Sequence, residues 1–296
     1  MHTSALTSSS PDTGPAATPA ASGPHVVFIG GGNMTRAIVS GMFKGTGPSG
    51  LVSVVQRSDP NRQGLIDDFA SAGLKVVASA SDLTRPADVV VWAVKPQVLK
   101  EVVAHNAGLF GPDCLHISVA AGVSTQALRT WLGNEQVVRC MPNTPATIGM
   151  GAAGLYAASA VSSAQRAQVA AILQATGLLV WVEEEPLLEA VTAVSGSGPA
   201  YFFAFIQAMA AAGEAMGLSA HTAQSLAIAT ARGAAELAAQ SDETPAQLQQ
   251  RVTSKGGATF EAIAVFEQAD LKGIVAKAMS ACADRAQAMG ETFGKA

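Results

Sequence analysis

The chain has 296 residues, 49% of them apolar and 14% charged, with a formal net charge of −4. That length suits two ordinary domains or one large one, and the apolar share supplies a sizeable core. The slightly acidic balance gives no electrostatic case for nucleic acid or an anionic membrane, and the nearest approach to a membrane span, 201–217, is interrupted by Gln207 and Glu214.

Residues 1–24 are Ser, Thr, Ala, Pro and Gly almost throughout. Lacking a basic start and a sustained apolar stretch, they are not expected to act as a signal peptide and read as a disordered tail. From there strands alternate with helices. His25–Ile29 reads as a strand, followed by Gly30-Gly31-Gly32 and a helix to about Gly45. Further strands are expected at 51–56, 76–78, 88–94, 115–119 and 136–140, a helix at 61–72, and edge strands at 154–156 and 177–182. The run DVVVWAV at 88–94 is apolar without alternation, as in a strand covered on both faces of a parallel sheet. The pattern predicts an α/β fold, with a Rossmann-like doubly wound domain over residues 25–186.

Beyond Pro186 only Ala-rich helical stretches are legible: 187–194, 199–217, 220–240, 245–253, 258–268 and 271–290. The stretch 199–217 is apolar nearly all round and needs packing partners on every side. Residues 187–296 are therefore expected to form an all-α dimerisation domain that interlocks with a second copy, giving a homodimer. Three widely spaced cysteines (Cys114, Cys140, Cys282) with no C-x-x-C argue against a disulfide framework and fit the cytoplasm. The five histidines form no i, i+4 pair, so no metal is expected.

Gly30-x-Gly32, directly after a strand and opening a helix, is the spacing a dinucleotide site requires; the third position, Thr35, departs from the usual Gly or Ala. The second strand ends Gln56-Arg57-Ser58. A guanidinium and a hydroxyl suit a 2′-phosphate, which favours NADPH, while Asp59 keeps NADH as the weaker alternative. Ala93-Val94-Lys95-Pro96 and the SVAAG stretch through Ala121 end neighbouring strands at the edge where ligands bind. Asn143 either bonds ligand or caps its turn.

A second anion cradle stands near the other end. Gly256 and Gly257 fall between two helical stretches, where glycine allows a tight turn and close backbone approach. The helix starting near Ala258 offers unpaired N–H groups, flanked by the hydroxyls of Ser254 and Thr259. Ser197, just before Pro199, forms an N-capping pattern, and Asp242 and Glu243 suit a helix start.

Five ordered blocks carry a family resemblance: FIGGGNMTRAI from Phe28, AVKPQ at 93–97, VRCMPNTPA at 138–146, SGSGPAY at 195–201, and the run from Pro245 to Glu267. Together they resemble pyrroline-5-carboxylate reductases over roughly residues 25–290. The resemblance implies NADPH-dependent hydride transfer to the C=N carbon of 1-pyrroline-5-carboxylate, giving L-proline in the last step of proline biosynthesis. It also implies a homodimer, with further assembly left open. The implied cofactor set is Gly30, Gly31, Gly32, Asn33, Met34, Arg57, Ser58, Ala93, Val94, Lys95, Pro96 and Ala121. Ser254, Gly256, Gly257, Ala258 and Ser197 are implied for substrate, and Thr259 is the implied catalytic partner of the ring nitrogen. Lys255 departs from the proline many relatives carry there, and either attracts the carboxylate or points into solvent. A hydroxyacid-type dehydrogenase would need a lysine in the long helix 199–217, which has none.

Overall fold

Four buried residues in a row, Val26, Val27, Phe28 and Ile29, form β1 (Val26–Ile29), an interior strand of the sheet. Side chains of this type pack well on a pleated surface that is covered on both sides. The computed structural model describes residues 23–44 and 50–295. The expected tail, apart from Gly23 and Pro24, lies outside the described residues, as does the expected helix end at Gly45.

After β1 come α1 (Asn33–Met42), β2 (Val52–Val55), α2 (Asp59–Phe69), β3 (Lys75–Val77), β4 (Val89–Trp92), α3 (Pro96–Asn106) and β5 (Leu115–Ser118). They are followed by α4 (Thr125–Leu132), β6 (Val137–Met141), β7 (Gly151–Ala157), α5 (Ser163–Leu173) and β8 (Gly177–Trp181). The strand order is β3-β2-β1-β4-β5-β6-β7-β8, parallel through β6. The chain order reverses between β1 and β4, so a crevice opens beyond their carboxyl ends. The expected edge strand at 154–156 is longer, and β7 runs antiparallel to β6. One sheet face packs Phe28, Ile38, Val54, Val91 and Ile117; the other packs Val27, Ile29, Val90, Trp92 and Leu99.

Among the described residues no strand follows Trp181. The helices are α6 (Leu187–Val191), α7 (Gly198–Ala215), α8 (Ala220–Gln240), α9 (Pro245–Arg251), α10 (Ala258–Gln268) and α11 (Leu271–Lys295). A single π turn, Thr192–Gly196, joins α6 to α7. α7 and α8 form a hairpin closed on small residues: a methyl at Gly213 would sit 3.1 Å from the Ala223 methyl. α11 runs back to the sheet, where Gly290 meets Gly122 and Phe293 joins the second core face. The helical domain leaves Phe202, Phe203, Val265 and Ile274 exposed on a single chain, an apolar surface of the kind that marks an association face. No helix among the described residues is long and apolar enough to cross a membrane.

His116 on β5 is buried, and its ring accepts the Trp92 indole N–H at 3.2 Å. Burial lowers its pKa from 6.5 to about 4. At pH 5 the folded imidazole is therefore neutral while the unfolded one is charged. The unfolded state binds the extra proton, so this stabilisation is complete above pH 6.5 and is lost as pH falls toward 4. Stability should drop by about 2 kcal/mol between pH 7 and pH 5 through this residue. Urea titrations of the parent and His116→Phe at both pH values should differ in pH dependence by that amount; equal dependence would contradict the assignment.

Candidate active site

The glycine loop after β1 is built for close approach. Gly30 has φ +102°, and a methyl there would lie 2.9 Å from the Ala93 carbonyl oxygen. Gly32 is the extended N-cap of α1 and has no side-chain cap, which leaves the first N–H groups of α1, at Asn33 and Met34, without intrahelical acceptors. Thr35 explains its departure from glycine: its buried hydroxyl donates to the Gly30 carbonyl at 2.6 Å and locks the turn. Ala93 and Val94 directly follow β4 beside this loop. Lys95 is exposed and begins α3, with Pro96 at the first helical position. Ala121 is half-buried after β5, next to Gly122. These are the features a pyrophosphate cradle needs, and a nicotinamide dinucleotide fits them.

At the end of β2 the side chain turned toward the loop is Gln56. Its carbonyl oxygen accepts the Gly31 N–H at 2.7 Å, a role sequence reading passed over in favour of the neighbouring Arg57. Arg57 and Ser58 are exposed, and the Arg57 side chain has no partner among the described residues. Asp59 opens α2 and is ion-paired with Arg62, which also reaches the Gln56 and Arg57 carbonyls at 3.4 and 3.3 Å.

One expectation needs correction, and the alternative left open at Asn143 is decided in favour of its turn. Ser197 does not cap α7, because the chain enters that helix through the π turn with Ser197 already in helical conformation. Its hydroxyl instead accepts from the Cys282 thiol at 3.1 Å. Asn143 has both ends of its side chain committed: it donates to the Ser195 carbonyl at 3.0 Å and accepts the Ala152 N–H at 3.0 Å. It therefore holds the turn after β6 against the segment leading to Ser197.

The diglycine corner lies between α9 and α10. α9 starts in a capping box of Thr244 and Gln247, and Thr253 closes its end by donating to the Gln249 carbonyl at 2.7 Å. Glu243 pairs with Arg251 across this helix. Gly256 has φ +75°, which glycine adopts at little cost. A further correction concerns Gly257, whose N–H is used within the turn, donating to the Ser254 carbonyl at 3.0 Å. The N–H groups of Gly256, Ala258 and Thr259 have no acceptor among the described residues, and the Ser254 and Thr259 side chains are exposed and equally unpartnered. Gly257 N-caps α10 without a side-chain bond, so Thr259 is not spent on capping. The arrangement offers an anion site next to a free hydroxyl, open on the single chain.

Comparison with known proteins agrees with both halves. Residues 185–289 match the family described as pyrroline-5-carboxylate reductase dimerisation. Residues 25–122 match the family described as NADP oxidoreductase coenzyme F420-dependent. The pyrroline-5-carboxylate reductase of Pseudomonas aeruginosa is 42% identical over 273 residues, covering 92% of this chain and 99% of the relative. The corresponding protein of Pisum sativum is 37% identical, covering 88% and 94%. Among solved structures, a pyrroline-5-carboxylate reductase from Coxiella burnetii aligns with TM-score 0.84 and 37% identity, covering 90% of this chain and 98% of the other. That of Plasmodium falciparum, with NADP bound, aligns with TM-score 0.77 and 28% identity over 90% and 98%.

Proposed function

The chain belongs to the pyrroline-5-carboxylate reductase family, and on that premise we propose that it reduces 1-pyrroline-5-carboxylate to L-proline with NADPH, as a cytoplasmic homodimer. The observation that carries this reading is the diglycine corner, an open anion site with the Thr259 hydroxyl free beside it.

Bound NADPH supplies the hydride that forms the new C–H bond at the imine carbon. The chain supplies binding, orientation and water exclusion. Gly30, Gly31 and Gly32 form the pyrophosphate turn, with Asn33 and Met34 in the helix start behind it. Arg57 and Ser58 face the 2′-phosphate. Ala93, Val94, Lys95, Pro96 and Ala121 border the nicotinamide ribose. The free N–H groups of Gly256 and Ala258, with the Ser254 hydroxyl, hold the substrate carboxylate, and Gly257 shapes their turn. The imine reacts in its protonated form, so hydride addition at carbon turns the C=N π electrons into the nitrogen lone pair and leaves a neutral secondary amine. The Thr259 hydroxyl, which both donates and accepts, can stay hydrogen-bonded to that nitrogen throughout. Ser197 borders the ring. Because the corner is open on one chain and the helical domain exposes an apolar face, the cleft is completed by the second subunit.

The direct test is loss of nicotinamide absorbance when purified protein, NADPH and 1-pyrroline-5-carboxylate are mixed. Oxidation is expected with this imine and not with 2-oxo or 3-hydroxy acids; the reverse selectivity would refute the assignment. Lys255 is exposed and unpaired among the described residues, so its charge is available to the carboxylate. Lys255→Gln should raise KM for the imine about threefold at low ionic strength, with the gap closing at high salt and kcat unchanged. A salt-independent KM would assign this lysine to solvent.

A further inference from the structure

Glu185, at the crossover from the sheet into the helical domain, ties three segments together. Its carboxylate accepts the Thr125 N–H at 2.7 Å, the Thr125 hydroxyl at 2.5 Å and Arg139 Nη1 at 2.7 Å. Thr125 and Arg139 are both buried, and Arg139 Nη2 lies 3.8 Å from Glu189 in α6. The carboxylate thus neutralises a buried guanidinium and faces the start of α4, where negative charge is favoured.

Each segment runs on toward the proposed site. Thr125 opens α4 directly after the loop carrying Ala121 and Gly122. Arg139 lies on β6, ahead of Asn143, whose side chain holds the Ser195 carbonyl. Glu185 and Glu189 lead through α6 and the π turn to Ser197.

We propose that Glu185 is a positioning residue: through Arg139 and Thr125 it sets where the segment 195–198 stands relative to the cofactor loop at Ala121. Its consequence for catalysis rests on the proposed reaction; its consequence for local order does not. A residue that only held the fold together would act on the whole sheet, whereas this one acts on segments 120–125 and 195–201.

The test is amide hydrogen exchange on the full-length protein saturated with NADPH, run beside steady-state kinetics. Glu185→Gln keeps the shape but removes the charge and turns an amide donor toward existing donors. Exchange should become about tenfold faster in 120–125 and 195–201 while β1 and β4 are unchanged. NADPH Kd should stay within about twofold and kcat should fall about tenfold. Thr125→Val should act in the same direction more weakly, and it leaves the ion pair intact should Glu185→Gln fail to fold. Unchanged exchange in both segments, or uniform acceleration across the sheet, would overturn the proposal. Failure of the parent protein to reduce the imine would refute the reaction alone, since the exchange pattern still decides the role of Glu185.

Discussion

Thr259→Ala is expected to lower kcat about 100-fold, the scale seen when one preorganised hydrogen-bonding group at a reacting centre is removed. NADPH Kd should be nearly unchanged, because Thr259 lies in the first turn of α10, in the anion corner, and not on the glycine loop. Neither the hydroxyl nor the N–H of Thr259 has a partner among the described residues. Folding therefore loses little when the side chain is shortened, and a drop in turnover reports on chemistry. Thr259→Ser should recover most of the rate and Thr259→Val should not, since only serine restores the hydroxyl. Equal losses of kcat and NADPH affinity in a folded dimer would remove Thr259 from the reacting centre.

The second large effect concerns cofactor choice. Arg57→Ala should weaken NADPH about 30-fold while changing NADH less than about threefold, as expected for one lost charge-assisted contact to the 2′-phosphate worth about 2 kcal/mol. Gln56 provides an independent handle. Its neutral amide, 2.7 Å from the Gly31 N–H, stands where an acidic side chain would meet the ribose hydroxyls in an NAD-binding protein. Gln56→Glu should keep the bond to Gly31 and repel the 2′-phosphate, moving the kcat/KM ratio toward NADH. Parallel changes for both cofactors in both variants would argue against 2′-phosphate recognition here. Asp59, the residue that leaves NADH open in the sequence, is exposed and ion-paired with Arg62.

What was legible in the chain followed from local constraints. Gly30 and Gly256 stood out because left-handed backbone favours glycine, and both have positive φ. The apolar run around Val89–Trp92 stood out because a strand buried on both faces has no polar alternation. The helical second half was readable from its Ala-rich pattern, but not the π turn at Thr192–Gly196, which changed Ser197 from a cap into a partner of Cys282. The partners of Gln56, Glu185 and Asn143 were hidden for a different reason. Each acts on a group 25 to 60 residues away, and one sequence does not reveal which distant backbone groups a side chain will meet. The free and committed N–H groups at the diglycine corner were likewise indistinguishable until the turn from Ser254 to Gly257 was seen.

The decisive measurement is a crystal structure of the dimer with NADPH and L-proline bound together, a pair that cannot react. It should put the amino-acid carboxylate on the Gly256 and Ala258 N–H groups, the ring nitrogen about 3 Å from the Thr259 hydroxyl, and the ring carbon against a nicotinamide held by a Gly30–Gly32 loop. Proline seated elsewhere, or a Thr259 remote from every nicotinamide in the assembly, would contradict that shared cleft.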